Sequence, residues 1–218
     1  MNLVYPLTNQ KDYTELLFSL RSVEKFITPP YEIIIVGSQT PDWITDVTQI
    51  FLPDIENNKL ISVRRKILAA LEYLKEDIFF MNDDFMLLRP TDPKTFPYYS
   101  SGRMDRMAET GAKPSVEQLK KLGKTTRYSG HYPCIIRQDF GSIVEKFSDN
   151  IINKSVYCNM IDIPLIETPD CKLNDSTNTA AVKEFIKHRF CLSTGVYSLA
   201  KAIPVLNEMF PNASKFEI

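Results

Sequence analysis

Apolar residues are distributed along this chain in two ways. Short, nearly unbroken runs occur at 2–5 (Asn-Leu-Val-Tyr), 31–36 (Tyr-Glu-Ile-Ile-Ile-Val) and 78–81 (Ile-Phe-Phe-Met); rich in β-branched and aromatic side chains, they predict strands buried on both faces. Between them, Leu16, Leu17, Leu20, Val23 and Ile27 recur at helical spacing within 12–27, and Leu60, Ile67, Leu68, Leu71 and Leu74 within 60–74. Steps of three and four put each set on one face of an amphipathic helix. Pro29-Pro30 ends the first helix and Gly37 closes the second strand. Strands separated by helices predict an α/β fold with a mostly parallel sheet, whose ligand crevice lies beyond the carboxyl ends of its strands.

The third strand runs directly into Asn82-Asp83-Asp84, and the chain continues through Phe85-Met86-Leu87-Leu88 to Arg89-Pro90. The pattern then loosens through Pro93, Pro97, Tyr98, Tyr99 and Gly102. A helix is predicted from Ser115, with Gln118 in capping-box position. A strand at 133–137, a helix at 139–147, a polar loop near Asn174 and a last helix at 179–188 complete the expectation. With no repeat and no clean boundary, residues 1–90 and 91–218 read as two halves of a single domain. The first is a fixed scaffold and the second holds the variable connections where specificity resides.

Composition narrows the choice. A chain of 218 residues, 44% hydrophobic and 24% charged, is neither disordered nor fibrous. No apolar run approaches the roughly 20 residues of a membrane span, and Met1 to Pro6 lacks the regions of a signal peptide, so a cytoplasmic protein with no membrane partner is expected. Cys134, Cys158, Cys171 and Cys191 contain no C-x-x-C pair and read as free, mostly buried thiols. Seven glycines are about half the usual share of roughly 7%. No G-x-G-x-x-G occurs, and Gly123-Lys124-Thr125 has Gln118 where a phosphate-binding loop needs its first glycine, which argues against a P-loop nucleotidase.

Net charge is −1, yet between residues 94 and 137 nine basic residues (Lys94, Arg103, Arg106, Lys113, Lys120, Lys121, Lys124, Arg127 and Arg137) face only Asp105, Glu109 and Glu117. This segment predicts an anionic partner, the alternative being a solvated surface.

Two adjacent aspartates behind an apolar run repel and dehydrate together, a cost that a divalent cation removes. On an extended strand Asn82 and Asp84 share one face and Asp83 takes the other. All-oxygen donors suit Mg2+ or Mn2+, which complete their shells with water and substrate phosphates. The alternative is a turn between two strands, capped by Asp83 and Asp84. Of two histidines, His131 lies in an irregular stretch before Pro133 and is a candidate base, metal ligand or phosphate contact, or else a structural residue. His188 falls at a helix end, where a cation suits the helix dipole.

Leu20-Arg21-Ser22-Val23-Glu24-Lys25, Ile33-Ile34-Ile35-Val36-Gly37 followed by Pro41-Asp42-Trp43-Ile44, and Phe79-Phe80-Met81-Asn82-Asp83-Asp84-Phe85 together resemble nucleotide-sugar transferases of the GT-A type. Within that type the chain is most similar to the Stealth-like capsular-polysaccharide enzymes. The resemblance covers about residues 1–90, with a weaker echo at His131-Tyr132-Pro133. It departs from the common Asp-x-Asp motif, because Asn82 holds the first position. It implies a GT-A-like, Rossmann-like fold with residues 1–90 as the nucleotide-sugar half and 91–218 as the acceptor half. It also implies that Tyr5 and Thr8 lie near the base, that Arg21 and Lys66 face the nucleotide or its diphosphate, that Asp84 binds the metal, and that Asn82 and Asp83 contact ribose or sugar. A late metal-binding histidine, common in the type, would be His188.

The function expected on these grounds is metal-dependent glycosyl transfer from a nucleotide-sugar donor to a hydroxyl. His131, Asp139 and Asp175 are the candidate bases, and a diphosphate leaving group needs a Lewis acid and nearby cations. The basic segment favours DNA carrying a hydroxymethylated base, which must leave the stack to react, over a surface polysaccharide. Sugar-phosphate transfer is the related alternative. A non-catalytic polyanion-binding module is the second class, and a nuclease the third, short of the carboxylates of a two-metal site.

Overall fold

The computed structural model describes residues 1–10, 12–56, 58–103, 113–128, 130–147, 153–161 and 163–218. In chain order the first half contains β1 (Asn2–Pro6), α1 (Thr14–Phe26), β2 (Ile33–Gly37), β3 (Thr48–Phe51), α2 (Lys59–Leu74), β4 (Ile78–Phe80) and β5 (Phe85–Leu87). The second contains β6 (Tyr98–Arg103), α3 (Lys113–Lys121), β7 (Thr126–Tyr128), β8 (Cys134–Ile136), α4 (Phe140–Val144), α5 (Asn153–Met160), β9 (Leu165–Glu167), α6 (Thr179–Lys187), β10 (Cys191–Ser193) and α7 (Val196–Met209).

The central sheet has the order β3-β2-β1-β4-β8. Its first four strands are parallel, and β8 forms an antiparallel edge through Phe80↔Cys134 and Ile78↔Ile136. β1, β2 and β4 are buried almost throughout, as their continuous apolar runs require. The mostly parallel α/β sheet with flanking helices is thus observed as expected. The strand order reverses between β1 and β4, where an open α/β sheet leaves a crevice at its carboxyl edge.

Local chemistry fixes these elements. Asn58 caps α2 by accepting a hydrogen bond from Ile61 N (3.0 Å), and Lys75 ends it in the left-handed region (φ 55°). α1 buries Leu16, Leu20 and Val23 together with two serines. Ser19 Oγ donates to Phe85 O (2.5 Å) and Ser22 Oγ accepts from Leu87 N (2.9 Å), so the helix holds the strand that leaves the acidic triplet. A second apolar cluster joins Met86, Leu88 and Leu192 to Val182 of α6 and to Leu199, Ala202, Val205 and Leu206 of α7. A small sheet, β7-β6-β9, joins the main core through Tyr98, Tyr99 and Tyr128.

Several expectations need adjustment. The helix predicted from Ser115 is α3, which includes Lys113, and the one predicted at 139–147 is only the five residues of α4. α6 is not the last helix, since β10 and α7 follow it. All four cysteines are free and buried.

Candidate active site

A hydrogen bond joins the segments that leave β1 and β4 where the strand order reverses: Gln10 Nε2 donates to Asp83 Oδ2 (2.8 Å). Asp84 is placed by a ladder of short strands. β5 pairs with β10 so that Phe85 faces Ser193, and Ser193 is bridged in turn to Lys172. The ladder converges on one carboxylate oxygen. Asp84 Oδ2 accepts from Ser193 Oγ (2.5 Å) and from Lys172 Nζ (3.1 Å). Lys172 Nζ also donates to Thr194 O. Thr194 binds the neighbouring acid as well, its Oγ1 donating to Glu15 Oε1 (2.6 Å) on the first turn of α1.

Burial raises the carboxyl pKa of Glu15, and the Asp84 and Asp83 charges add to the effect, against the opposing Thr194 hydrogen bond. Asp83 is likewise raised, by burial first and by Asp84 second, against the hydrogen bond from Gln10. Each acid resists ionisation because water is excluded and like charges are near.

The histidine expected at the site is fixed beside it. His131 Nδ1 lies 2.8 and 2.9 Å from the two Asp170 oxygens. An imidazole whose Nδ1–H is held by a carboxylate presents Nε2 as the proton acceptor. The His131 carbonyl accepts from the Cys171 thiol (2.7 Å), so Asp170, Cys171 and Lys172 connect the histidine to the acid cluster in consecutive residues. Asp175 is adjacent: its Oδ1 and Lys172 Nζ lie 3.9 and 3.7 Å from the position a Cβ would take on Gly195. A cleft of about 340 Å3 lined by Ser100, Ser101, Gly102, Glu167, Thr168 and Pro169 ends one residue short of Asp170.

The structure thus brings Asp83, Asp84, His131 and Asp175 to the carboxyl edge, with Asn82 half-buried beside them and Thr8 exposed on the loop after β1. It sends five other candidates elsewhere. Tyr5 is fully buried and its hydroxyl pairs with Ser19 Oγ (2.9 Å), inside the core rather than at a base. Arg21 faces the C-terminal segment, its Nε and Nη2 donating to the two Glu217 oxygens (2.8 and 2.6 Å). Lys66 is 1% exposed and donates to Leu7 O (2.7 Å) and Asp54 Oδ1 (2.6 Å), so it anchors the loop after β1 instead of facing a diphosphate. Asp139 lies at the amino edge, beside Gln138, whose N donates to Asp77 Oδ1 (3.0 Å) before β4 begins, and its own Oδ1 accepts from Tyr157 (3.1 Å). His188 is exposed and pairs with Glu184 (3.2 Å). Its neighbour Lys187 meets Arg89, beyond the far end of β5 from Asp84.

Glu15, Gln10, Asp170, Lys172, Ser193 and Thr194 were not foreseen as site residues. Glu15 opens a helix that was foreseen, but its approach to Asp83 and Asp84 is tertiary. Lys172 carries no local signal, because its position depends on the pairing of β10 with β5.

The basic segment does not form one face. Arg137 precedes Gln138 at the amino edge, and Lys94 follows Thr91, whose N donates to Phe26 O (2.8 Å) at the C-terminal end of α1. Exposed Lys120, Lys121 and Lys124, with half-buried Arg127, lie on α3, β7 and the turn between them, the chain that leads to His131. Arg106, with Asp105 and Glu109, lies outside the described residues.

Among the described residues, no three His, Cys, Asp or Glu side chains converge as a metal-ligand group. The donor set agrees: Asp84 Oδ2 accepts from the Lys172 ammonium, and His188 is at the other end of β5. These residues do not fit a preassembled divalent-metal site. Among the described residues no helix is long and apolar enough to cross a membrane. No protein-family model matches the chain, and no curated protein matches it.

Proposed function

We propose that this protein is a glycosyltransferase that moves a sugar from a nucleotide-sugar donor to an acceptor hydroxyl, using a GT-A-like arrangement of its sheet. The observation that carries this reading is the meeting of two different chemistries at one sheet edge. A carboxylate–ammonium cluster (Asp83, Asp84, Glu15 and Lys172) is joined through residues 170–172 to a carboxylate-oriented imidazole (Asp170 and His131). Group transfer to a hydroxyl needs both a polar cradle for an anionic leaving group and a base for the acceptor proton.

The donor lies across the β1–β4 crevice. Its nucleoside passes the exposed loop at Thr8, and its sugar hydroxyls donate to Asp83 and Asn82. His131 Nε2 takes the proton from the acceptor hydroxyl, and Asp170 steadies the imidazolium that results. The acceptor oxygen bonds to the anomeric carbon as the bond from that carbon to the phosphate oxygen breaks, and the nucleoside diphosphate departs with the electron pair. The acceptor approaches over the β7-β6-β9 sheet, past the hydroxyl-rich cleft of Ser100, Ser101 and Thr168. The lysines of α3 favour an acceptor carried on a polyanion, and DNA with a hydroxymethylated base fits that requirement.

The test is the mass of the acceptor after reaction with a panel of nucleotide sugars. A gain equal to one sugar supports the reading. A gain of sugar plus phosphate would move the attack to phosphorus, and an unchanged acceptor from every donor would refute transfer.

A further inference from the structure

Resting on the glycosyltransferase reading, we infer that Lys172 is the cation that binds the donor's diphosphate, so that a nucleoside diphosphate binds this site without a divalent ion. The geometry supplies what such a role requires. Lys172 sits on Asp84 where the metal was expected, with its side chain 35% exposed against 15% for Asp84, so the ammonium is the more solvent-facing member of the pair. An ammonium has three N–H donors. Two are directed to Asp84 Oδ2 and Thr194 O, which leaves one for a phosphate oxygen.

The residue is held from both sides. Ser193 N donates to Cys171 O (2.9 Å) and Leu173 N donates to Ser193 O (2.9 Å), so the backbone of Lys172 is clamped to β10 before any ligand arrives. A charge fixed in advance stabilises a developing anion without reorganising at the moment of bond cleavage. The neighbouring acids are directed to other partners, Asp83 to Gln10 and Glu15 to Thr194. Asp84 itself is charge-balanced by Lys172. A divalent ion that used Asp84 Oδ2 would have to displace that ammonium, whereas a diphosphate can use it in place.

Two measurements on the intact chain test this. In the first, pyrophosphate and the diphosphates of uridine, guanosine, cytidine and thymidine are titrated calorimetrically in EDTA and again in Mn2+, with wild type, Lys172→Arg and Lys172→Met. At least one nucleoside diphosphate is expected to bind wild type equally in both media, to weaken by roughly tenfold or more in Lys172→Met, as loss of a charge-assisted hydrogen bond implies, and to recover in Lys172→Arg. Binding that appears only with Mn2+ and is unmoved by Lys172→Met overturns the inference and leaves the glycosyltransferase reading standing. The absence of any binding in both media overturns both.

The second measurement is independent of nucleotide. Free Mn2+ is counted by electron paramagnetic resonance against wild type, checked by circular dichroism. Wild type is expected to bind no stoichiometric Mn2+, because the Lys172 ammonium occupies Asp84 Oδ2. Stoichiometric Mn2+ binding by wild type would contradict the inference.

Discussion

At the scale of single residues, the acid cluster is built at a cost to the fold. Burial and like charge raise the pKa of Glu15 above its ordinary value of 4.5. The folded chain therefore holds that proton more tightly than the unfolded chain does. Where the native state binds more protons, stability falls as pH rises, so the contribution is fully present below about 4.5 and is lost as pH climbs through the higher folded value. Glu15→Gln removes the titration while keeping an acceptor for Thr194. Its melting temperature should exceed that of wild type at pH 7.5 and converge with it near pH 4.5, as followed by circular dichroism; a constant difference across that range would contradict the assignment. Glu217 behaves in the opposite sense. Although burial would raise its pKa, Arg21 and Ser214 hold it below its ordinary value, so its contribution to stability is lost as pH falls below about 4.5. The Glu15 comparison is accordingly made against wild type at each pH.

At the scale of elements, the loop after β1 is held by a close approach and a buried cation. A Cβ on Gly37 would stand 2.6 Å from Leu7 O, a backbone atom that also accepts from Lys66 Nζ (2.7 Å) and cannot easily yield. Gly37→Ala should therefore cost about 2 kcal/mol, a fall of roughly 4–8 °C in melting temperature, and a change within about 1 °C would show that the loop moves freely. The sequence pattern revealed β1, α1, β2, α2 and β4 because each is long or continuous enough to show its period. β3 did not show it, since its four residues alternate between half-buried and exposed. β7, β9 and β10 are as short as β4 and β8 but lack an unbroken apolar run, reading Thr-Arg-Tyr, Leu-Ile-Glu and Cys-Leu-Ser. α7 has helical spacing in Leu199, Ala202, Val205 and Leu206, but Pro204 within it argues locally against a helix. That proline is accommodated because the helix is secured by its packed face rather than by propensity.

At the scale of the whole molecule, the sheet order explains why some site residues were legible and others were not. Asp83 and Asp84 were, because an acidic pair at the end of a buried strand must lie at the carboxyl edge. Lys66 and Arg21 carry no local sign of their partners, and only the tertiary fold turns one to Leu7 O and the other to Glu217. Asp139 is near His131 in sequence, yet β8 runs antiparallel to β4 and carries it to the opposite edge. The acceptor side yields its own prediction. Reversing charge at Lys120, Lys121 and Lys124 together should weaken DNA binding roughly tenfold or more and lower the salt dependence by about 0.9 for each phosphate no longer neutralised, with donor hydrolysis unchanged; equal affinity in a salt-titrated binding assay would remove DNA as the acceptor's carrier. The central claim, that the β1–β4 edge turns over a nucleotide sugar, is tested most directly by following nucleoside diphosphate release from a panel of such donors with wild type and Lys172→Met. The account predicts slow hydrolysis of at least one donor by wild type, and a loss of roughly a hundredfold or more in Lys172→Met with its fold intact by circular dichroism, the scale expected when one preorganised electrostatic group is removed from a transition state. Release that is equal in the two proteins, or no release from any donor, would contradict it.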